Sequence, residues 1–378
     1  MKKCVVVSDS FKGTVSSREI CEIAQRVIPR HFPACEVVCI PVADGGEGTV
    51  DCFIQAMGAQ RVEVTVTNAL SEKSAAAYAR IGELAIIEMA AAAGLPQVGA
   101  LRCPGTATTY GVGELIAHAV HSGCKRILLG LGGSATNDGG CGCAAALGVG
   151  FLDADGQSFV PVGDTLGRIA RIDTAKADEL LRSVEITVMC DVTNPLYGPT
   201  GAAYVFAPQK GADAEKVKSL DAGLRHFGDV IRSQLGIDVS RMPGAGAAGG
   251  MGAGCVALLG GMIQSGIDAV LDVTGFDRQL EGADLVITGE GRIDSQSADG
   301  KVVSGVARRT RAKGVPLIAI AGGIADSAGA VYDIGVSAMF STDRAALPVD
   351  MLGARSPGDY EATLSDIMSL IAIAERFA

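Results

Sequence analysis

The stretch Val5-Val-Val-Ser-Asp-Ser-Phe-Lys-Gly-Thr14 begins as an apolar run and ends in a polar loop with a glycine. The same change from an apolar run to acids or glycines recurs at 37–49, 127–138, 186–191 and 285–294. β-Branched runs followed by helical patterns are typical of parallel strands buried on both faces. Because open α/β sheets bind ligands beyond the carboxyl ends of their strands, these five loops are the predicted functional positions.

The composition of the 378-residue chain favours globular α/β domains and argues against several kinds of partner. The length favours two domains, and a hydrophobic content of 48% is enough for full cores. A net charge of −10 and an aromatic content of 4% argue against nucleic acid as a partner. No apolar stretch is suited to span a bilayer, so no membrane partner is expected. The 11 cysteines contain no Cys-x-x-Cys pair and no signal-peptide pattern is present, which predicts a cytoplasmic protein.

A change in hydrophobic patterning predicts the domain organisation. Residues 61–67 alternate between apolar and polar, as a half-exposed antiparallel strand does, and the regular α/β pattern resumes near residue 284. The expected arrangement is one α/β domain built from residues 1–62 and 284–378, with residues 63–283 inserted as a second α/β domain. The sequence Ser16-Ser-Arg-Glu19 is a capping box and predicts the start of the first helix.

Acidic residues follow the predicted strands in glycine-rich loops. They are Asp9, Asp44, Asp138, Asp191, Glu290 and Asp294. Helix capping explains many such acids individually, but a group of carboxylates without His or Cys suits Mg²⁺, which takes oxygen ligands alongside phosphates. Backbone N–H groups of glycine-rich loops suit the phosphates themselves. The residues alone predict phosphoryl transfer or phosphate binding and leave the acceptor open.

Other features restrict the chemistry further. The Gly-x-Gly-x-x-Gly sequence at 244–249 follows Arg241-Met-Pro243 rather than a strand, so we interpret it as a close-packed helix start or a hinge. No Walker A sequence is present, and none of the four histidines lies in the five loops, which argues against histidine triads and zinc hydrolase sites. Lys12 can neutralise a phosphoryl group or hold a substrate carboxylate. Arg292 can clamp a carboxylate or bridge Glu290 and Asp294.

These loops resemble those of the bacterial class I glycerate kinases along essentially the whole chain. The matching segments include 8–14, Pro41-Val-Ala-Asp-Gly-Gly-Glu-Gly-Thr49, Gly130-Leu-Gly-Gly-Ser-Ala-Thr-Asn-Asp-Gly-Gly140, Cys190-Asp-Val-Thr-Asn-Pro-Leu-Tyr-Gly198, 201–211, 243–250 and Gly289-Glu-Gly-Arg-Ile-Asp294. Where the family usually has a Gln-Thr pair after this last motif, the chain has Gln296-Ser297, which keeps the hydroxyl.

The resemblance implies ATP-dependent phosphorylation of D-glycerate, generally at the 2-hydroxyl, giving 2-phosphoglycerate, and the acidic loops predict Mg²⁺ as the metal. It also implies a Rossmann-like parallel-sheet domain that holds both chain ends, an inserted mixed α/β domain and an active site in the cleft between the two. A kinase that forms 3-phosphoglycerate, a kinase of another small hydroxy acid, and a non-catalytic sugar-acid or nucleotide sensor stay open. A homodimer is also left open.

The loop chemistry and the resemblance together suggest roles for single residues. Asp191 is the first choice as the base for the substrate hydroxyl and Asp44 the second, with Lys12 as a further catalytic residue. The expected substrate-binding residues are Ser8, Asp9, Ser10, Lys12, Asn194, Glu290, Arg292 and Asp294. The expected nucleotide-binding residues are Gly132, Gly133, Ser134, Asn137 and Asp138. The expected metal ligands are Asp44, Asp138 and Asp191.

Overall fold

A computed structural model describes residues 1–11, 14–40, 42, 48–298, 301–345 and 355–377. The strands are β1 (Lys3–Ser8), β2 (Glu36–Cys39), β3 (Gln60–Thr67), β4 (Lys73–Ile81), β5 (Leu84–Glu88), β6 (Arg126–Gly130), β7 (Gly150–Leu152), β8 (Arg171–Asp173), β9 (Glu185–Met189), β10 (Met262–Gln264), β11 (Leu285–Ile293), β12 (Leu317–Ile324) and β13 (Ala338–Ser341). The helices are α1 (Ser17–His31), α2 (Thr49–Met57), α3 (Ala90–Ala93), α4 (Leu95–Val98), α5 (Tyr110–His121), α6 (Cys141–Ala146), α7 (Ala175–Leu181), α8 (Ala202–Phe206), α9 (Ala214–Leu235), α10 (Ala247–Leu259), α11 (Gly266–Val273), α12 (Phe276–Gln279), α13 (Val302–Lys313), α14 (Ala330–Asp333) and α15 (Ser356–Ala374).

The chain divides into two compact units. The terminal unit comprises Met1–Ala43 and Ile267–Ala378, and the inserted unit comprises Asp44–Gly266. These boundaries differ from the expected ones at residues 62 and 284. Helix α2 groups with the inserted unit because it packs against β4 and β5. Ile267 and Leu271 group with the terminal unit because they are buried against its sheet. The alternating pattern at 61–67 therefore marks the first strand of the inserted unit, which starts before that strand.

The terminal unit contains a five-stranded parallel sheet in the order β13-β12-β11-β1-β2. One face packs against α11 to α14 and the other against α1 and α15. Counted along this unit alone, the strand order is 2-1-3-4-5, so the winding reverses between β1 and β11. This is a doubly wound fold with its topological switch point between those two strands. It confirms the predicted Rossmann-like sheet built from both chain ends.

The sequence explains why β1 lies in the centre of this fold. Residues Cys4 to Val7 are wholly buried, with Val5 and Val7 facing one helical layer and Val6 facing the other. Helix α1 begins with the predicted capping box. The Ser16 hydroxyl accepts from the Glu19 N–H, and the Glu19 carboxylate accepts from the Ser16 N–H at 2.8 Å. The described residues 9–11 and 14–16 therefore lie between a buried strand and a capped helix.

The inserted unit contains a six-stranded mixed sheet in the order β10-β9-β6-β5-β4-β3. Strands β3, β4 and β5 pair antiparallel, and β5, β6, β9 and β10 pair parallel. The alternating sequence at 61–67 is therefore correctly predicted as an antiparallel strand. The parallel part directs the carboxyl ends of β5, β6 and β9 to one edge, which is where the loops after residues 88, 130 and 189 lie.

The glycines at 244–250 serve close packing rather than dinucleotide binding. Ala248, Gly249 and Gly250 have left-handed φ angles of 54°, 70° and 90° at the start of α10. A Cβ on Gly249 would lie 2.2 Å from the carbonyl oxygen of Thr136. The Gly249 carbonyl accepts from the Gly139 N–H at 3.0 Å. The predicted close-packed helix start is confirmed, and it supports the loop after β6.

Replacing Gly249 with Ala should destabilise the inserted unit more than replacing Gly236 with Ala. Both glycines have nearly the same φ, 70° and 71°, so both substitutions share the left-handed cost of about 1–2 kcal/mol. Only Gly249 faces backbone at close range, whereas a Cβ on Gly236 would meet nothing within 4 Å. Overpacking adds about 1–3 kcal/mol at Gly249. Urea unfolding followed by circular dichroism measures the difference, and equal losses would contradict the packing explanation.

Candidate active site

The carboxyl end of β1 lies beside Gly289 at the switch point of the terminal unit, and β11 continues past it through Glu290 to Ile293. Ser8 pairs in register with Gly289, and the Asp9 N–H donates to the Gly289 carbonyl at 2.9 Å. The Asp9 carboxylate accepts from the Ser10 N–H at 2.7 Å. Doubly wound sheets bind ligands at such positions. The predicted residues Ser8, Asp9, Ser10 and Glu290 are thus brought together at one edge of one sheet.

Glu290 is a buried carboxylate in this group, with an exposed fraction of 7%. Its Oε1 has no hydrogen-bond partner among the described residues, and its Oε2 lies 3.9 Å from the Lys301 Nζ, beyond hydrogen-bond distance. Burial raises the pKa of the Glu290 carboxyl. The Ser297 hydroxyl and the Lys301 ammonium oppose this rise, and the Asp9 and Asp294 carboxylates add to it. Glu290 therefore has the capacity to accept a further hydrogen bond.

Arg292 lies two residues beyond Glu290 on the same strand. It lies on β11 opposite Gly323 and is exposed. Within the described ranges it forms no ion pair, so it does not bridge Glu290 and Asp294. The backbone N–H of Asp294 donates to the Ser297 hydroxyl at 3.1 Å. Of the two alternatives that the sequence left open, the bridge between Glu290 and Asp294 is not formed among the described residues, and carboxylate binding by Arg292 stays a prediction.

In the inserted unit, the loop after β6 presents backbone donors. The N–H groups of Gly132, Gly133 and Ser134 donate to no described residue, and Gly132 and Gly133 reach the surface. Gly133 has a φ of +72°, which glycine adopts without strain. Consecutive backbone N–H groups without partners form anion-binding concavities. The loop has the donors that phosphate oxygens require.

Asp138 lies beneath this loop rather than on its surface, with an exposed fraction of 0%. Its Oδ2 accepts from the Thr109 N–H and hydroxyl, both at 2.8 Å, and from the Gly142 N–H at 3.3 Å. Its Oδ1 accepts from the Gly140 N–H at 3.0 Å. Burial raises the pKa of Asp138, and these four hydrogen bonds oppose the rise. The sequence predicts Asp138 as a metal ligand and phosphate contact; in the structure its carboxylate accepts hydrogen bonds that shape the loop.

Asn137 is also wholly buried. Neither its amide nitrogen nor its amide oxygen has a partner among the described residues. The side chain is therefore placed under the loop, and any nucleotide contact at this position is expected from the backbone.

Lys210 is a buried lysine that joins two points of the same loop. Its exposed fraction is 2%, and its Nζ donates to the Ser134 hydroxyl and to the Thr136 carbonyl, each at 2.7 Å. Burial lowers the pKa of Lys210 to about 7, and the Asp138 carboxylate opposes this shift. The side chain reaches the loop from the 3₁₀ turn Pro208–Lys210. These two hydrogen bonds fix Ser134 and Thr136 relative to each other. The backbone N–H groups of Gly132, Gly133 and Ser134 are thereby kept in a defined arrangement.

Lys210 should make the stability of the inserted unit depend on pH. Its folded-state pKa of about 7 lies below the ordinary lysine value of about 10.4. Between these values the unfolded chain binds more protons, so the free energy of unfolding rises with pH. Compared with Lys210→Met, the wild-type chain should gain up to about 1.4 kcal/mol per pH unit within that window. Urea unfolding at pH 7, 8 and 9 tests this, with exposed Lys176→Met as the control. A difference in the free energy of unfolding between the wild type and Lys210→Met that stays constant with pH would contradict this prediction.

Asp191 follows β9, the strand next to β6 in the same parallel sheet. Its side chain is exposed, and its Oδ1 accepts from the Gly266 N–H at 2.8 Å. Asn194 is partly buried, and its amide nitrogen donates to the Thr200 carbonyl at 2.8 Å. Asp191 therefore lies at the same sheet edge as the glycine loop, whereas the Asn194 amide nitrogen is engaged in its own turn.

Glu88 is absent from the predicted site residues although it ends β5 at this edge. It pairs in register with Gly130, is 8% exposed, and accepts from the Val50 N–H at 2.6 Å. Together with Asp51 and Arg61 it lines a cavity of about 230 Å³. The sequence signal was available, because Leu84-Ala-Ile-Ile-Glu88 is another apolar run that ends in an acid.

The remaining expectations concern metals, membranes and two loops. Lys12 and Asp44 lie outside the described residues. Within the described ranges, no three or more His, Cys, Asp or Glu side chains are arranged to hold a metal ion. Of the helices in those ranges, none has the length and hydropathy needed to cross a membrane.

Comparison with known proteins decides the family. The model of the glycerate kinase family matches residues 4–372. The chain belongs to the glycerate kinase family. The family expected from the loop motifs is thereby confirmed.

Relatives of the glycerate kinase family match nearly the full length. The chain is 45% identical over 377 residues to the glycerate kinase of Bacillus cereus (strain ATCC 10987 / NRS 248), covering 99% of both chains. It is 45% identical over 343 residues to the glycerate 2-kinase of Escherichia coli (strain K12), covering 90% of both. A crystal structure of a Salmonella typhimurium LT2 protein assigned as a glycerate kinase 2 matches with a TM-score of 0.87 and 38% identity, covering 99% of both chains.

Proposed function

We propose that the chain transfers the γ-phosphoryl group of ATP to the 2-hydroxyl of D-glycerate, giving 2-phosphoglycerate and ADP. The relatives support this assignment, since one of them is a glycerate 2-kinase. The structural observation that carries it is the run of N–H groups at Gly132, Gly133 and Ser134 without partners among the described residues. Phosphoryl transfer depends mainly on positioning and on stabilising charge, and backbone donors of this kind supply both.

Within the inserted unit, Gly132, Gly133 and Ser134 bind phosphate oxygens through their backbone, and Asn137 contributes a nucleotide contact through its own backbone. Asp138 and Lys210 keep the loop in shape through their hydrogen bonds. Asp191 accepts the proton of the reacting hydroxyl, because it is an exposed carboxylate at the same edge. Mg²⁺ usually keeps water and phosphate ligands and needs only one or two protein carboxylates. The described residues fit that mode of binding with Asp191 as a ligand, and Mg²⁺ would supply charge neutralisation for the phosphates.

Within the terminal unit, the switch-point residues bind the hydroxy acid. Ser8, Asp9, Ser10, Glu290 and Asp294 provide hydrogen-bonding groups at this edge. Arg292 binds the carboxylate, because it is exposed and forms no ion pair within the described residues. Lys12, Asp44 and Asn194 stay in the proposal on the sequence motifs alone. The cysteines that the structure describes are free thiols, which supports the cytoplasm as the compartment.

The proposal is tested by ADP release from ATP with and without D-glycerate. We expect turnover only when D-glycerate and Mg²⁺ are both present, and loss of turnover when EDTA is added. L-Glycerate and glycolate serve as acceptor controls. ATP hydrolysis that is independent of D-glycerate, or no turnover with it, would argue for the sensing alternative and against the kinase.

A further inference from the structure

Two buried oxygen atoms on one face of β11 lack hydrogen-bond partners among the described residues. Thr288 and Glu290 are two residues apart and therefore lie on the same face of the strand. The Thr288 hydroxyl oxygen and the Glu290 Oε1 are both buried without a hydrogen-bond partner within the described ranges. Helix α13 packs on β11, and Lys301 is the residue that precedes its first turn. Glu290 and Lys301 therefore lie together at the switch point, beyond Thr288 on this face of β11.

The two members of the pair differ in their access to solvent. The side chain of Lys301 is 41% exposed and that of Glu290 only 9%, and their charged atoms are 3.9 Å apart. At this distance the Lys301 ammonium and the Glu290 carboxylate do not form a hydrogen bond with each other. Buried acceptors are nearly always satisfied in native proteins. A hydroxyl group of a ligand that enters beside Lys301 would donate the hydrogen bond that the Glu290 Oε1 lacks.

The chemistry of the substrate indicates what that donor is. D-Glycerate carries two hydroxyl groups, and in the proposed reaction the 2-hydroxyl loses its proton as it takes up the phosphoryl group. The 3-hydroxyl keeps its proton and stays a hydrogen-bond donor throughout. Burial raises the pKa of Glu290 and the Lys301 ammonium opposes that rise; an ionised carboxylate accepts a hydrogen bond more strongly than a neutral carboxyl does.

We propose that Glu290 accepts a hydrogen bond from the 3-hydroxyl of D-glycerate and thereby sets the selectivity of the enzyme for glycerate over hydroxy acids without that hydroxyl. The inference rests on the proposed function and names the substrate group that this carboxylate recognises. Sites built to bind a hydroxyl reject the analogue that lacks it by about 10⁴–10⁵-fold, because a buried polar group is then left unpaired. D-Lactate is that analogue, since a methyl group replaces its CH₂OH group.

The test uses the full chain with two substitutions, Glu290→Gln and Glu290→Leu, and Glu281→Gln as an exposed control in the same unit. The kcat/KM for D-glycerate and the Ki of D-lactate as a competitive inhibitor are measured for each. For D-glycerate we expect a loss of about 10-fold with Gln, which keeps a neutral acceptor, and about 10²-fold with Leu, which keeps none. The Ki of D-lactate should stay within about threefold with Gln and fall with Leu, because apolar surface then meets its methyl group.

Two outcomes would overturn the inference. If the kcat/KM for D-glycerate and the affinity for D-lactate fall by the same factor, Glu290 acts on the whole site rather than on the 3-hydroxyl. If the kcat/KM for D-glycerate does not fall, Glu290 lies outside the site. Thermal unfolding of each variant separates misfolding from a binding effect, and the Gln variant, which keeps the shape of Glu, serves if the Leu variant does not fold. A wild-type chain that fails to phosphorylate D-glycerate would instead contradict the proposed function itself.

Discussion

Asp191→Asn should lower the kcat for D-glycerate phosphorylation by about 10²–10⁴-fold, the usual contribution of a general base. The substitution keeps an oxygen that can accept from the Gly266 N–H, which lies 2.8 Å from the Asp191 Oδ1. The turn after β9 should therefore keep its shape. An amide cannot take up the hydroxyl proton, so the loss should appear in kcat while the KM for ATP changes by less than about threefold.

The same variant separates the two roles proposed for Asp191. If Asp191 holds Mg²⁺, raising the Mg²⁺ concentration should restore part of the lost kcat, whereas a missing base is not replaced by the metal. Asp155→Asn is the matched control, since Asp155 is an exposed carboxylate of the same unit. A kcat close to that of the wild type would eliminate Asp191 from the chemistry.

Asp138→Ala should lower the free energy of unfolding of the inserted unit by about 3–5 kcal/mol, the usual effect of removing one partner from a buried charged network. The substitution leaves four donors, from Thr109, Gly140 and Gly142, without their acceptor. It also removes the carboxylate that favours the charged form of buried Lys210. Urea unfolding followed by circular dichroism measures the loss.

The controls for Asp138 follow from its contacts. Asp155→Ala, at an exposed position, should change stability by no more than about 0.5 kcal/mol. Asp138→Asn should give an intermediate loss, because one oxygen can still accept from Thr109 while the amide N–H₂ group faces the Gly140 N–H. Stability of Asp138→Ala equal to that of the Asp155 control would show that the network does not hold the loop.

The positions of the strands and their polar ends are local properties and could be predicted from the sequence. Buried runs such as Val5–Val7 and the capping box at Ser16 specify a strand, a loop and a helix within a few residues of each other. Because parallel strands place their carboxyl ends at one edge, Asp9 and Glu290 could be expected at a common site before the strand order was known. The order itself, with its switch point between β1 and β11, has no local signal.

The direction of side chains in the loops could not be predicted in the same way. Asp138 and Asp191 both follow strands, yet Asp138 is turned inward by donors from Thr109, which lies 29 residues earlier in the chain. Lys210 reaches Ser134 across 76 residues. Such contacts depend on tertiary packing, so an acid beneath a loop and an acid on its surface have the same sequence pattern.

The phosphorus NMR spectrum of the product formed from ATP and D-glycerate shows which hydroxyl is phosphorylated. We expect one new phosphomonoester, 2-phosphoglycerate, in an amount equal to the ADP released. A product phosphorylated at the 3-position, or no phosphomonoester at all, would contradict this expectation.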